Sequence, residues 1–150
     1  SMVLYFTGAS RSSAAIIDQQ RKNTSSGNQK AIDAMHRIKQ SAIDMKLALL
    51  KGDMQAFAKI LGQGWEDKKK MAEAISNPMI QEVFDVAIPA GALAGKVSGA
   101  GGGGFIMLMV EPTRKKEVIN ALKELDGFVM PFQFTEGGAH GWKIYSTDKI

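Results

Sequence analysis

Residues 96–104 read Lys-Val-Ser-Gly-Ala-Gly-Gly-Gly-Gly and run directly into an apolar segment, Phe-Ile-Met-Leu-Met-Val, at residues 105–110. Five of the 16 glycines in the chain lie within these nine residues. Because glycine has no Cβ, the backbone can adopt positive φ angles there and other groups can approach it closely. The stretch therefore predicts a turn that lies against a phosphate, a sugar or another loop.

The elements on either side of this glycine-rich turn are predicted to be a helix and a strand. Asn77-Pro78 is a strong helix start, since proline at the first helical position needs no hydrogen-bond partner. Pro89, Gly91 and Gly95 lead from the end of that helix into the turn, and residues 105–110 have the apolar run of a buried strand. The turn is therefore predicted to be a tight helix-to-strand connection.

The segments before residue 77 are predicted to form one strand followed by helices. Residues 2–7 are apolar and β-prone and stop at Gly8. A helix over residues 14–20 is broken by residues 24–28, and two longer helices follow, joined at Gly52 and Asp53. Their predicted apolar faces are Ala31, Met35, Ile38, Ala42, Met45 and Leu49 on the first helix and Met54, Ala58, Leu61 and Trp65 on the second.

The segments after the turn complete a mixed pattern. Glu111-Pro112 begins a further helix, and residues 129–134 and 142–145 supply two more strands. The predicted order is β, several helices, β, α, β, β. This order predicts an α+β fold with a mainly antiparallel sheet covered on one face by helices.

The charge pattern and the length of the apolar runs argue against a nucleic-acid or membrane partner. The net charge of +4 is spread along the 150 residues, which are enough for one domain with a core. The basic runs 68–70 and 114–116 lie next to acidic residues and are interpreted as solvated helix faces, so no nucleic-acid partner is expected. No apolar run approaches the ~20 residues that span a bilayer, so no membrane partner is expected either.

The absence of cysteine removes disulfide, thiolate-zinc and cysteine-nucleophile chemistry. It also favours a reducing compartment, so a cytoplasmic location is expected. The two histidines, His36 and His140, are far apart in sequence, so no metal site is expected.

Residues 99–104 satisfy the pattern G-x-G-x-x-G, but a dinucleotide site needs a strand before the glycines and a helix after them. The predicted order here is the reverse, so no helix dipole is expected to hold a pyrophosphate. No G-x-x-x-x-G-K-[ST] pattern for a P-loop occurs in the chain. Two interpretations of the turn remain open: an anion-binding nest of backbone amides, and a docking point for a partner loop.

The residues from Lys96 to Phe105 resemble the third conserved motif of the GHMP kinases, the family of galactokinase, homoserine kinase and mevalonate kinase. The match includes a basic residue three positions before the first glycine and a small hydroxyl residue immediately before it. Residues 4–13, Leu-Tyr-Phe-Thr-Gly-Ala-Ser-Arg-Ser-Ser, resemble the corresponding segment of the sugar-1-kinase branch of that family, which includes the heptose 7-phosphate kinases. The similarity extends over residues 2–150.

The resemblance implies that residues 2–150 form the ferredoxin-like C-terminal domain of a kinase whose N-terminal nucleotide-binding domain is absent from this chain. It implies transfer of a phosphoryl group from ATP, with Mg²⁺, to the anomeric hydroxyl of a heptose 7-phosphate. The family's Pro-x-x-x-Gly-Leu-Gly-Ser-Ser-Ala nucleotide loop and catalytic aspartate are not found here. We therefore expect no catalytic residue and no intrinsic cofactor in the chain, and little or no turnover by it alone.

The resemblance also implies which residues lie at the cleft between the two domains. The candidates for binding the sugar phosphate are Arg11 and Ser12, because a guanidinium makes bidentate contacts to phosphate oxygens. For Arg11 a surface or salt-bridging position remains an equally open alternative. For Lys96 a substrate contact and a solvated position remain equally open, and for the glycines tight packing without a ligand is an alternative. The predicted cleft residues are Lys96, Ser98, Gly99, Ala100, Gly101, Gly102, Gly103 and Gly104.

Two functions from other classes stay open on the sequence. Ferredoxin-like domains can bind small molecules without catalysis, which would make the chain a ligand-binding or regulatory module. The chain could also act as an interaction domain that forms a homodimer.

Overall fold

A computed structural model of the chain describes residues 1–9 and 13–142. These residues contain four strands and five α-helices, with short 3₁₀ turns at Glu73–Ile75 and Pro112–Arg114. In chain order the elements are β1 Met2–Phe6, α1 Ser13–Ser25, α2 Gln29–Leu50, α3 Met54–Lys69, α4 Pro78–Ala90, β2 Ala92–Val97, β3 Phe105–Val110, α5 Lys115–Leu122 and β4 Phe128–Met130.

The four strands form one sheet in the order β2-β3-β1-β4, and every neighbouring pair is antiparallel. β1 is a central strand, with Met2 opposite Met109 and Phe6 opposite Phe105 on β3. The connection from β1 to β2 through α1–α4 and the connection from β3 to β4 through α5 each pass over one strand. This arrangement is the split βαβ topology of ferredoxin-like folds, so the predicted α+β class is confirmed.

One face of the sheet is buried beneath α4 and α5, because side chains on successive strand residues alternate between the two faces. Val3 and Tyr5 point into this core, while the alternate residues Leu4 and Phe6 are only partly buried. The core also contains Ile80, Val83, Ile106, Leu108, Val118 and Leu122, each at most 2% exposed. The sheet therefore has one fully covered face, as the sequence predicts.

Helices α2 and α3 form an antiparallel hairpin beside the edge strand β2. The turn depends on Gly52 at φ 70° and on Asp53, whose carboxylate accepts the Ala56 N–H at 2.9 Å. Gly62 packs against β2 so closely that a Cβ there would lie 3.3 Å from the Ala94 Cβ.

No helix among residues 1–9 and 13–142 combines the length and apolarity needed to cross a membrane.

The predicted apolar faces of the two helices fare differently. Ala58, Leu61 and Trp65 of α3 are buried, as predicted, and only Met54 is exposed. On α2, Ala31 is buried but Met35, Ala42 and Leu49 are exposed, which makes the predicted six-residue stripe wrong at half its positions. The reason is that α2 is the outer helix of the hairpin, so most of its apolar surface meets no other element in the described part of the chain.

The structure corrects two further predictions and leaves a third untested. Residues 92–97, Ala-Leu-Ala-Gly-Lys-Val, form β2, so the glycine-rich turn joins two antiparallel strands and is not a helix-to-strand connection. The strand predicted over 129–134 is shorter, because Pro131 has no N–H to extend the ladder beyond Met130. The strand predicted at 142–145 lies outside the described residues apart from Trp142.

A buried carboxylate connects α2 to α3. Asp67 is 1% exposed, and its Oδ1 accepts hydrogen bonds from the Arg37 Nε and the Lys70 Nζ, each at 2.8 Å. Burial alone would raise the pKa of Asp67, but the hydrogen bonds from Lys70 and Arg37 and their charges hold that pKa below its ordinary value. A pKa lowered by folding means that the ionised carboxylate stabilises the folded state.

Asp67→Asn should lower the free energy of unfolding by about 1–3 kcal/mol near neutral pH, because both cations lose a charged acceptor. The stabilisation by Asp67 is present above its unfolded pKa, near 3.8, and is lost as the pH falls through the lower folded pKa. The measurement is urea unfolding of the wild type and of Asp67→Asn at several pH values, from neutral pH to below the unfolded pKa of 3.8. A difference in stability that does not shrink on acidification would contradict it, and Asp44→Asn on the exposed face of α2 is the control.

Candidate functional site

The connection between β2 and β3, residues 98–104, is built almost entirely from left-handed backbone. All five of its glycines have positive φ, a region that residues with a Cβ enter only with strain. The values are 74° at Gly99, 115° at Gly101, 76° at Gly102, 150° at Gly103 and 87° at Gly104. We call residues 98–104 the glycine loop. The loop is rich in glycine because its backbone conformation requires positive φ angles.

One side of the glycine loop packs against the turn before α4. The Gly102 N–H donates to the Ile75 carbonyl at 2.8 Å, and the Asn77 Nδ2 donates to the Gly102 carbonyl at 3.0 Å. A Cβ at Gly101 would lie only 2.7 Å from the Ile75 carbonyl oxygen. Asn77 also caps α4 by accepting the Ile80 N–H at 3.0 Å. The start of α4 and the loop are therefore held by one side chain.

The other side of the glycine loop packs against the end of β1. The Gly104 N–H donates to the Ala9 carbonyl at 2.7 Å and lies 3.0 Å from the Thr7 Oγ1. Thr7, which is 4% exposed, also donates its N–H to the Gly104 carbonyl at 3.0 Å. A Cβ at Gly103 would lie 2.6 Å from the Ala9 carbonyl oxygen. Residues near the start of the chain thus meet residues from its later part at this loop.

These contacts divide the predicted cleft residues into two groups. Gly101, Gly102 and Gly103 are buried against the chain's own backbone, which is the packing alternative that the sequence left open. Ser98 and Gly99 are exposed, and no heavy atom lies within 4 Å of a Cβ built at Gly99. Ala100 and Gly104 are partly buried, and a Cβ built at Gly104 would also have no heavy atom within 4 Å. Ser98 and Gly99, at the beginning of the loop, are therefore its most exposed residues.

The segment that contains Arg11 and Ser12 follows, in sequence, residues that contact the glycine loop. Both residues lie outside the described part of the chain, so their role as substrate-binding residues stays a prediction. Ala9, two residues before Arg11, is the residue whose carbonyl receives the Gly104 amide. The two motifs of the predicted site are thus adjacent where Ala9 and Gly104 meet, although these residues are 95 positions apart in sequence.

Lys96 lies on β2, opposite Met107 on β3, and is half-buried rather than at a helix end. A second lysine approaches the same loop from α3, where the Lys68 Nζ donates to the Gly99 carbonyl. Burial and the nearby charge of Lys96 lower the pKa of Lys68. The sequence missed Lys68, because the run 68–70 has the composition of a solvated helix face.

The three lysines of that run have different environments. Lys69 pairs with Glu66 at 2.7 Å and Lys70 with Asp67 at 2.8 Å. Lys68 forms no ion pair within the described residues and instead contacts a carbonyl of the glycine loop. A helical phase difference of one residue is enough to turn one lysine of a run inward.

In the same described part of the chain, no three His, Asp or Glu side chains are grouped to hold a metal.

Comparison with known proteins assigns the fold to a family. Residues 45–126 match the family model described as "GHMP kinases C terminal". The matched range includes α3, α4, the glycine loop and α5. The chain belongs to the GHMP kinase family and corresponds to the C-terminal domain of its members. This finding confirms the resemblance of residues 96–105 to that family.

Individual relatives agree with this assignment. The chain is 43% identical over 142 residues to D-glycero-alpha-D-manno-heptose 7-phosphate kinase of Campylobacter jejuni, covering 95% of this chain and 41% of that protein. A crystal structure of a D-glycero-D-manno-heptose 1-phosphate kinase from Bacteroides thetaiotaomicron is 57% identical, with a TM-score of 0.63, over 97% of this chain and 36% of that one. The Lin0012 protein from Listeria innocua shares the fold with a TM-score of 0.80 at 19% identity, covering 91% of this chain and 41% of that one. The chain thus spans about two fifths of the length of these relatives.

Gly103→Ala should destabilise the protein more than Gly99→Ala, although both positions have positive φ. Gly99→Ala has room for its methyl group and should cost about 1–2 kcal/mol from backbone strain alone. Gly103→Ala adds an overlap with the Ala9 carbonyl and should cost at least about 3 kcal/mol. Urea unfolding of both variants measures the difference. Equal destabilisation would show that Gly103 does not pack against Ala9 in solution.

Proposed function

We propose that this chain is the C-terminal part of an ATP-dependent sugar kinase that phosphorylates the anomeric hydroxyl of a heptose 7-phosphate. The observation that carries the proposal is the 43% identity, over 95% of the chain, to the heptose 7-phosphate kinase of Campylobacter jejuni. The second support is the glycine loop, which combines the family's motif with a fixed conformation. Structural relatives below 25% identity support the fold and say nothing of the acceptor.

In this proposal the rest of the kinase precedes residue 1 and supplies the nucleotide-binding loop and the catalytic base. Phosphoryl transfer depends on positioning and on neutralising charge, so each half of the cleft must be present. Residues 98–104 carry no carboxylate, and they therefore do not fit as ligands for Mg²⁺. Any Mg²⁺ bound with ATP would need carboxylates from outside the glycine loop.

The contribution of this chain would be a rigid wall of the cleft. Hydrogen bonds from Gly102 and Gly104 to Ile75 and Ala9 fix the loop before any substrate arrives. A preorganised wall loses little conformational entropy when a substrate binds. Ser98 and Gly99, at its open beginning, are the loop residues available to contact a substrate or the nucleotide loop. Lys96, on the strand that leads into the loop, would add positive charge.

The direct test is a kinase assay on the full-length protein with ATP and D-glycero-D-manno-heptose 7-phosphate. Phosphorus NMR should show a new phosphate on the anomeric carbon, and omission of the heptose 7-phosphate should stop ATP consumption. The 150-residue chain assayed alone should show little or no turnover. Phosphorylation of another small molecule, with the heptose 7-phosphate left unchanged, would refute the proposed acceptor.

Arg11→Ala in the full-length kinase should raise the KM for the heptose 7-phosphate about tenfold or more while leaving the KM for ATP nearly unchanged, because a charged phosphate contact is lost. The matched control is Arg21→Ala, which removes an exposed arginine on α1. Steady-state kinetics with each substrate varied in turn provide the measurement. A KM for the sugar phosphate that stays at the wild-type value would remove Arg11 from the binding site.

A further inference from the structure

Two lysines from different elements share one cavity beside the glycine loop. The cavity has a volume of about 200 Å³ and lies between α2, α3 and β2. Lys68 reaches it from α3 and Lys96 from β2, while its other walls include Ile38, Met45 and Trp65. The cavity thus combines an apolar wall with two cationic groups.

The two cations lack the counter-charges that their neighbours have. Within residues 1–9 and 13–142, neither Lys68 nor Lys96 forms an ion pair, whereas Lys69 and Lys70 each pair with an acid on α3. Both side chains are half-buried, so solvent screens their mutual repulsion less than it would on an open surface. Such an arrangement costs free energy unless an anion enters between the two groups.

The Lys68 side chain contacts the glycine loop. Its ammonium donates one hydrogen to the Gly99 carbonyl, which leaves two further donors. Gly99 is exposed and has open space on its Cβ side. An anion held by Lys68 would therefore lie at the open beginning of the loop, on the part of the predicted cleft that the chain's own packing does not fill.

We propose that Lys68 and Lys96 form a phosphate-binding site at this cavity, and that the phosphate belongs to a sugar phosphate. Ammonium groups bind phosphate oxygens through charge-assisted hydrogen bonds, and the apolar walls would contact the carbon skeleton. The volume of about 200 Å³ lies below the roughly 300–1,000 Å³ of pockets that enclose drug-sized ligands, which favours a small phosphate ester over a nucleotide. The choice of a sugar as carrier rests on the proposed function, whereas the anion site itself does not.

The test is a titration of the 150-residue chain at constant ionic strength, followed by heteronuclear NMR of the lysine side chains and by calorimetry. The probes are mannose 6-phosphate, mannose, inorganic phosphate and ATP. Mannose 6-phosphate should bind saturably and shift the Lys68 and Lys96 ammonium signals, and mannose should not. Because the wild-type signals report binding directly, this measurement stands even if a variant fails to fold.

Lys68→Met and Lys96→Met should each weaken the binding of mannose 6-phosphate about tenfold or more, since each removes a charged donor but keeps an unbranched apolar side chain. Lys59→Met, on the exposed face of α3, is the matched control and should bind like wild type. Equal binding by wild type and both site variants would overturn the site. So would the absence of saturable binding by every phosphate probe.

Two further outcomes separate this site from the proposed function. Saturable binding of ATP without binding of mannose 6-phosphate would overturn the assignment to a sugar phosphate. Binding that depends on Lys68 and Lys96, in a full-length protein that does not phosphorylate heptose 7-phosphate, would support the site and refute the proposed acceptor.

Discussion

The close approach of the glycine loop to two other backbone segments is the constraint on which this structure depends. The amides of Gly102 and Gly104 donate to the carbonyls of Ile75 and Ala9, and a Cβ at Gly101 or Gly103 would overlap the same two carbonyls. Ile75 is fully buried, and buried backbone groups must find hydrogen-bond partners, so a hairpin loop without the Gly102 amide would leave the Ile75 carbonyl unsatisfied. The end of β1, the turn before α4 and the β2–β3 connection are consequently fixed as one unit.

The same packing divides the glycine loop into a buried middle and an exposed beginning. The middle of the motif is explained by packing inside the chain, and the beginning, at Ser98 and Gly99, is open. Lys68 contacts the open part from α3, and Lys96 precedes it on β2. A family motif that consists mostly of consecutive glycines therefore contains both tightly packed and exposed positions.

The sequence predicts the elements whose signals are local. Asn77-Pro78 and Asp53 mark helix starts that the structure confirms, and both side chains accept the expected amide. The α+β class follows from the order of these elements. β2 escaped prediction because Ala92, Ala94 and Gly95 have little tendency to form strands, and the segment is a strand only because β3 and α3 pack on it.

The candidate site divides along the same line. The glycine loop could be found from composition, but its place in a hairpin could not, because that depends on recognising β2. Lys68 could not be distinguished from Lys69 and Lys70, since only the packing of α3 against β2 shows which lysine turns inward. On α2, Met35 and Leu49 have the periodicity of a buried face, yet they are exposed because α2 lies outside α3.

The central position of β1 has a consequence for how the chain folds. Its hydrogen-bonding partners are more than 95 residues away in sequence, from Met2 with Met109 to Phe6 with Phe105. Closing so long a loop costs entropy before any contact compensates for it, which slows folding. On the ribosome β1 must wait until β3 has been synthesised, while the α2–α3 hairpin can form much earlier. The pairing of β1 with its neighbours should thus come late in folding, after local elements such as the α2–α3 hairpin have formed.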